Sequence, residues 1–172
     1  MRWSWIDIIT QVQKGKRLTA IKNVSMAEDV LHDHFPTQTG PGGEALDALP
    51  VMPASLLIEG MAQTAGLLVG HAGDFREKVI LAKIVKATFE REVTPGQTVR
   101  FEATLERMDP SGASTVGTIT AIDHASGVEH HVGDVELIFS HIDRNMAGVE
   151  FPDENFVFTD NFRALLRSAG MI

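Results

Sequence analysis

His34 and Glu59 are the residues of this chain whose types and surroundings fit a general acid–base pair. An imidazole titrates near neutrality, so it can accept a proton at physiological pH. Glu59 is the only formally charged side chain from Met52 to Gly70, a run that includes Leu56, Leu57, Ile58, Met61, Leu67, Leu68 and Val69. Burial in such company favours a neutral carboxyl group unless a cation pairs with it. Structural ion pairs give the same signal as functional sites, so the carboxyl group alone does not decide between them. The second half of the pattern decides: His34-Phe35-Pro36 precedes the run, and Val51-Met52-Pro53 leads into it.

The run from Met52 to Gly70 predicts one buried helix of roughly 28 Å, with Pro53 in its first turn, where a missing N–H is harmless. Gly60 and Gly66 each cost a helix interior about 1 kcal/mol relative to Ala. The helix must therefore be held by tertiary burial, and its small residues admit other backbone at close range. The run is long enough to be tested as a membrane span. Pro53, Glu59, Gln63 and the lack of a flanking basic cluster argue for a protein core instead.

Around that helix the pattern is mostly β. Arg2 to Val12 reads as a short helix or an edge strand, and Leu18 to Val24 as a strand. Ser25-Met26-Ala27-Glu28 has capping-box spacing for a helical turn ending near His32. Thr37 to Leu49 reads as a loop. Val79 to Val93 is a long strand, and Thr94-Pro95-Gly96-Gln97 fits a type II turn. Val99, Phe101, Ala103 and Leu105 alternate with polar residues, and turns at Asp109–Gly112 and Asp123–Gly127 lead into strands Ser114 to Ile122 and Val128 to Ile142. Together these predict an α+β fold, an antiparallel sheet in meander order wrapped around one long central helix. Residues 1–142 form this domain. Residues 143–172 form a tail, irregular from Arg144 to Asp160, then a short amphipathic helix with Phe162, Leu165, Leu166 and Ala169 on the side that packs.

Composition narrows the class. A chain of 172 residues with 44% hydrophobic and 22% charged residues is an ordinary globular protein. A net charge of −8 argues against a nucleic-acid partner, which would need a basic face. With no cysteine there are no disulfides or thiolate metal sites, and the opening MRWSWIDII is too short of apolar residues for a secretory signal. The expected location is the cytoplasm.

His-Phe-Pro at 34–36, Met-Pro at 52–53 and Leu-Ile-Glu-Gly-Met-Ala-Gln at 57–63 resemble the signature of the β-hydroxyacyl-acyl-carrier-protein dehydratases, which have the hotdog fold. Arg17 to Asp29 and Lys83 to Arg107 resemble the flanking strands of that family, so the resemblance runs over about Arg2 to Ile142. It implies dehydration of a 3-hydroxyacyl thioester carried on an acyl carrier protein or on CoA, with no cofactor and no metal. It also implies a homodimer, with a trimer of dimers as a further assembly, in which the pair meets across the interface. On this resemblance His34 is the base at C2 and Glu59 the acid for the 3-hydroxyl. Ala54 offers its backbone N–H to the thioester oxygen, Gln63, one turn after Glu59, positions the carboxyl group, and Phe35 and Met52 line the substrate path. Free N–H groups at a helix start suit an oxyanion site, worth about 3–4 kcal/mol when well placed.

Three features depart from the family pattern. The loop between Pro36 and Pro50 is long and has no Gly after Pro36, Ala54 stands where the family has Gly, and the net charge does not favour an acidic carrier. Lys83, Lys86 and Arg91 could still form a local basic patch. Glu59, where isomerising relatives carry Asp, favours simple dehydration. Two other readings stay open: a non-catalytic acyl-binding hotdog subunit, and a hotdog thioesterase. His32 and His34 lack a third metal ligand, His130 and His131 alternate faces of a strand, Ser55 lacks a nucleophile elbow, and Gly40-Pro41-Gly42-Gly43 follows no strand, so none of these points to another chemistry.

Overall fold

The computed structural model describes residues 4–32, 35–142 and 160–172. The alternation around Phe101 becomes a strand, Gln97–Asp109, in which Val99, Phe101 and Ala103 are completely buried while Thr104 faces solvent. In chain order the elements are β1 (Ile8–Gln13), β2 (Arg17–Asn23), α1 (Asp29–His32), β3 (Gln38–Thr39), β4 (Ala45–Leu46), α2 (Ala54–Ala72), β5 (Lys78–Phe89), β6 (Gln97–Asp109), β7 (Gly112–Asp123), β8 (Glu129–Ile142) and α3 (Asp160–Ser168). Of the two readings for the N-terminal segment, the structure selects the edge strand.

Among the described residues six strands form one antiparallel sheet in the order β1-β2-β6-β7-β8-β5, and α2 packs on it, on β6 above all. The inward sides of the strands supply Leu18, Ala20, Phe101, Ile119, Val135, Leu137 and Phe139. From α2 come Leu57, Met61, Ala65 and Leu68. This is the predicted α+β hotdog architecture.

The strand order corrects one expectation. Thr94-Pro95-Gly96-Gln97 does make the predicted turn, with Gly96 at φ 88° and the Gln97 N–H donating to the Thr94 carbonyl at 3.3 Å. It does not close a hairpin. β5 leaves β6 and pairs with β8 at the far edge of the sheet, from Lys78↔Ile142 to Phe89↔Gly133. The segment between them crosses the end of α2, where buried Val93 accepts a hydrogen bond from the Met52 N–H at 2.8 Å. Only β6, β7 and β8 form a meander.

The expected capping box at Ser25 is also different. Its hydroxyl accepts from the Ala27 N–H at 3.1 Å, and the Glu28 carboxylate turns to Lys22 Nζ at 2.7 Å. Lys22 is nearly buried and needs the anion more than the helix end does.

α3 is stopped by Gly170 at φ 66°, with Met171 N–H donating to the Leu166 carbonyl and Gly170 N–H to the Arg167 carbonyl. That is a Schellman ending. Leu166 is 1% exposed, and Phe162, Leu165, Ala169 and Met171 pack on the core around it. The predicted irregular stretch before α3 lies, up to residue 159, outside the described residues. No described helix is long and apolar enough to cross a membrane.

Candidate active site

α2 is not buried all round, as its composition predicts. Leu57, Gly60, Met61, Thr64, Ala65 and Leu68 are sealed against the sheet, whereas Ile58, Glu59, Gln63 and Gly66 remain half-buried. Glu59, Ala62, Gln63 and Gly66 fall on one helical face at spacings of three and four. They line an apolar cleft of about 290 Å³, closed on its other sides by Leu67, Val79, Leu81, Phe139 and Phe162.

At the polar end of the cleft the carboxyl group is held by a relay of two hydrogen bonds. Gln63 Nε2 donates to Glu59 Oε1 at 2.8 Å, and Gln63 Oε1 accepts from the backbone N–H of Trp5 at 2.9 Å. The second bond orients the amide. A backbone N–H can only donate, so the oxygen of Gln63 must face Trp5 and its NH₂ must face Glu59. Gln63 thus bonds to Glu59, the neighbour it is expected to hold. Trp5 escaped sequence reasoning, because its contribution comes from the backbone and leaves no mark in residue type.

The other expected site residues stand apart from this cleft. Phe35, Met52, Pro53, Ala54 and Ser55 line a second cleft, together with Val51, Leu57 and the stretch from Phe89 to Glu92. Met52 is buried and Phe35 is 41% exposed. Ala54 and Ser55 are exposed at the start of α2, ahead of its first backbone bond, in which the Leu56 N–H meets the Pro53 carbonyl at 2.9 Å. Their N–H groups therefore have no place in the helical ladder. His34, like Asp33, lies outside the described residues. Within one chain, then, Glu59 and Gln63 belong to one cleft, and Phe35, Met52 and Ala54 to another. β5 connects them, lining the first with Val79, Ile80 and Leu81 and the second with Phe89.

The long loop leaves this layout intact. The Leu49 N–H donates to the Phe35 carbonyl at 3.0 Å, so the chain returns to its point of departure. Between these residues it folds into the small β3–β4 hairpin, with Gln38 opposite Leu46 and Thr39 opposite Ala45. The loop reading of Thr37 to Leu49 misses this hairpin, because two-residue strands leave no periodicity in sequence. Lys83, Lys86 and Arg91 are all exposed, but Glu136 faces Lys86 across the ladder and Glu90 and Glu92 flank Arg91, so the local charge is mixed.

The profile of the FabA-like domain matches residues 2–127. The chain belongs to the FabA-like domain family. Among curated relatives, FabZ 3-hydroxyacyl-acyl-carrier-protein dehydratase of Variovorax paradoxus is 38% identical over 107 residues, covering 60% of this chain and 64% of that one. FabZ of Listeria monocytogenes is 35% identical over 104 residues, covering 60% and 65%. The chain thus spans just under two thirds of the length of these relatives. Solved structures share the fold at low identity. A thioesterase family protein from Silicibacter pomeroyi superposes with a TM-score of 0.60 at 13% identity, covering 78% of this chain and 82% of that one. A dehydratase heterocomplex, ApeI:P from Xenorhabdus doucetiae, gives 0.55 at 18%, covering 81% and 84%. In this FabA-like domain the acidic residue of α2, Glu59, lies on the half-open face of the central helix.

Proposed function

We propose that this protein is a hydro-lyase that dehydrates 3-hydroxyacyl thioesters to trans-2-enoyl thioesters in fatty acid or related acyl-chain synthesis, with an acyl carrier protein as the carrier. One observation carries the reading. Glu59 stands half-open in a cleft whose other lining, Gln63 apart, is apolar, and Gln63 bonds to one of its carboxyl oxygens. In the reaction the His34 imidazole takes a proton from C2 and the C2–C3 double bond forms as the C3–O bond breaks. The Glu59 carboxyl group delivers its proton to the departing hydroxyl, which leaves as water. Proton exchange from imidazolium to carboxylate then restores the pair. The N–H of Ala54 receives the charge that builds on the thioester oxygen. Phe35 and Met52 form the path by which the acyl group enters.

The reading includes a homodimer. Among the described residues β5 is the last strand of the sheet, and its Leu81, Ile84 and Val85 are 37%, 44% and 48% exposed. Apolar edge strands of this length invite pairing. Antiparallel pairing of two copies about Val85 sets Leu81 of one chain across from Phe89 of the other. The Glu59 cleft of each copy then adjoins the Phe35 and Ala54 cleft of its mate. The absence of cysteine suits the cytoplasm, where we place the protein. Residues 1–142 are taken as the hydro-lyase domain and 143–172 as an appended segment.

Hydration of a 2-enoyl thioester, run in the reverse direction and followed by loss of the conjugated absorbance, tests the assignment. Turnover by the wild type, abolished in His34→Ala and Glu59→Gln, is the expected result. Release of free thiol in step with the loss of absorbance would replace dehydration with thioester hydrolysis.

A further inference from the structure

Phe162 lines the apolar cleft together with α2 and β5, and it comes from α3, beyond the residues 2–127 that match the FabA-like family. We infer that α3 sets the length of acyl chain this protein accepts, with Phe162 as the specificity-determining wall. The inference rests on the acyl-thioester reading given above.

Three observations lead there. The cleft is polar only where Glu59 and Gln63 stand; its other lining residues, Phe162 among them, are apolar. A substrate whose reacting carbons lie at the carboxyl group therefore lays its hydrocarbon tail against an apolar lining of which Phe162 is part. The space exists because α2 carries small residues on that face. A methyl group built on Gly66 would reach the Phe139 ring only at 3.5 Å, an ordinary contact. Finally, α3 is anchored independently of any ligand. Leu166, one turn after Phe162 on the same helical face, is sealed in the core, the helix packs on β1, and the Schellman ending at Gly170 fixes its last turn. Phe162 is thus presented to the cleft by a fixed support, and a volume of about 290 Å³ lies at the small end for ligand pockets.

Binding of S-alkyl thioethers of N-acetylcysteamine, from butyl to dodecyl, measured by calorimetry on the full chain, tests this without turnover. Enoyl hydration with the matching thioester series runs in parallel. The wild type should bind progressively better up to a limiting length and then gain nothing. Phe162→Ala should move that limit to longer chains, with affinity rising roughly fourfold for each further methylene buried. Phe162→Trp should move it to shorter ones, and Leu166→Ala, which undocks α3, should act like Phe162→Ala. Melting curves of the variants identify any that fail to fold, and the Trp variant keeps the test open if the Ala variant does. An unchanged limit in folded Phe162→Ala and Phe162→Trp overturns the inference, as does a wild type that binds no member of the series. Shifted limits in a protein that hydrates no enoyl thioester would sustain the inference and sink the hydro-lyase reading.

Discussion

At Gln63 the position of a whole N-terminal segment is converted into the orientation of one carboxyl group. The amide cannot flip without setting two donors, the Trp5 N–H and its own NH₂, against each other. Replacing Gln63 with Met keeps the length of the side chain and removes both bonds. We expect kcat for enoyl hydration to fall on the order of tenfold, from loss of orientation, with a smaller change in KM. Unfolding free energy should fall by about 1–3 kcal/mol, because the donor and acceptor left behind lose their partner. Steady-state kinetics and urea titration measure both, and an unaltered kcat would remove Gln63 from the machinery. Half of this arrangement is legible in sequence. Glu59 and Gln63 are four apart on a helix, a spacing that brings side chains together whatever the fold. Trp5 is 58 residues away and acts through its main chain, so no periodicity reports it.

Between elements, α2 and the sheet fit by exchange of small and large residues. A methyl group on Gly60 would come within 2.4 Å of Cζ of Phe101 on β6, and one on Gly117 of β7 within 2.2 Å of Sδ of Met61. The sequence correctly marks Gly60 as a point of close approach, although a ring approaches there rather than backbone. Gly60→Ala gains about 1 kcal/mol of helix propensity and incurs about 1–3 kcal/mol of overpacking. It should therefore leave the protein less stable in urea. Gly66→Ala, on the open face, meets only an ordinary contact and should leave it more stable. Equal effects at the two positions would contradict the packing described. The same scale shows where sequence reading ends. Each strand and the turn at Pro95 are encoded locally, but the pairing of β5 with β8 instead of β6 is a choice among distant partners, and no residue in the turn records it.

For the whole molecule, one chain divides the expected site residues between two clefts, and the exposed edge of β5 runs from one toward the other. A charge placed at the centre of that edge should separate two paired copies and leave each fold intact. Val85→Asp is expected to sediment as a monomer, keep its secondary structure by circular dichroism and lose hydration activity. A monomeric variant with full activity would show that each chain holds a complete site. The fold of the single chain is legible because α2 announces itself by an apolar run and β6 by alternation. A pair divided between two subunits is implied by the family resemblance alone; residue spacing does not carry it, because it depends on which faces the finished sheet leaves open. The hydrogen bond between Phe35 and Leu49 has one more consequence. Because the excursion begins and ends at the same place, its length is uncoupled from the rest of the domain, and lengthening such a segment adds little closure entropy. Residues 37–48 are therefore a natural splice point, where a foreign peptide can be carried on the outside of the protein while Pro36 and Pro50 hold their stations.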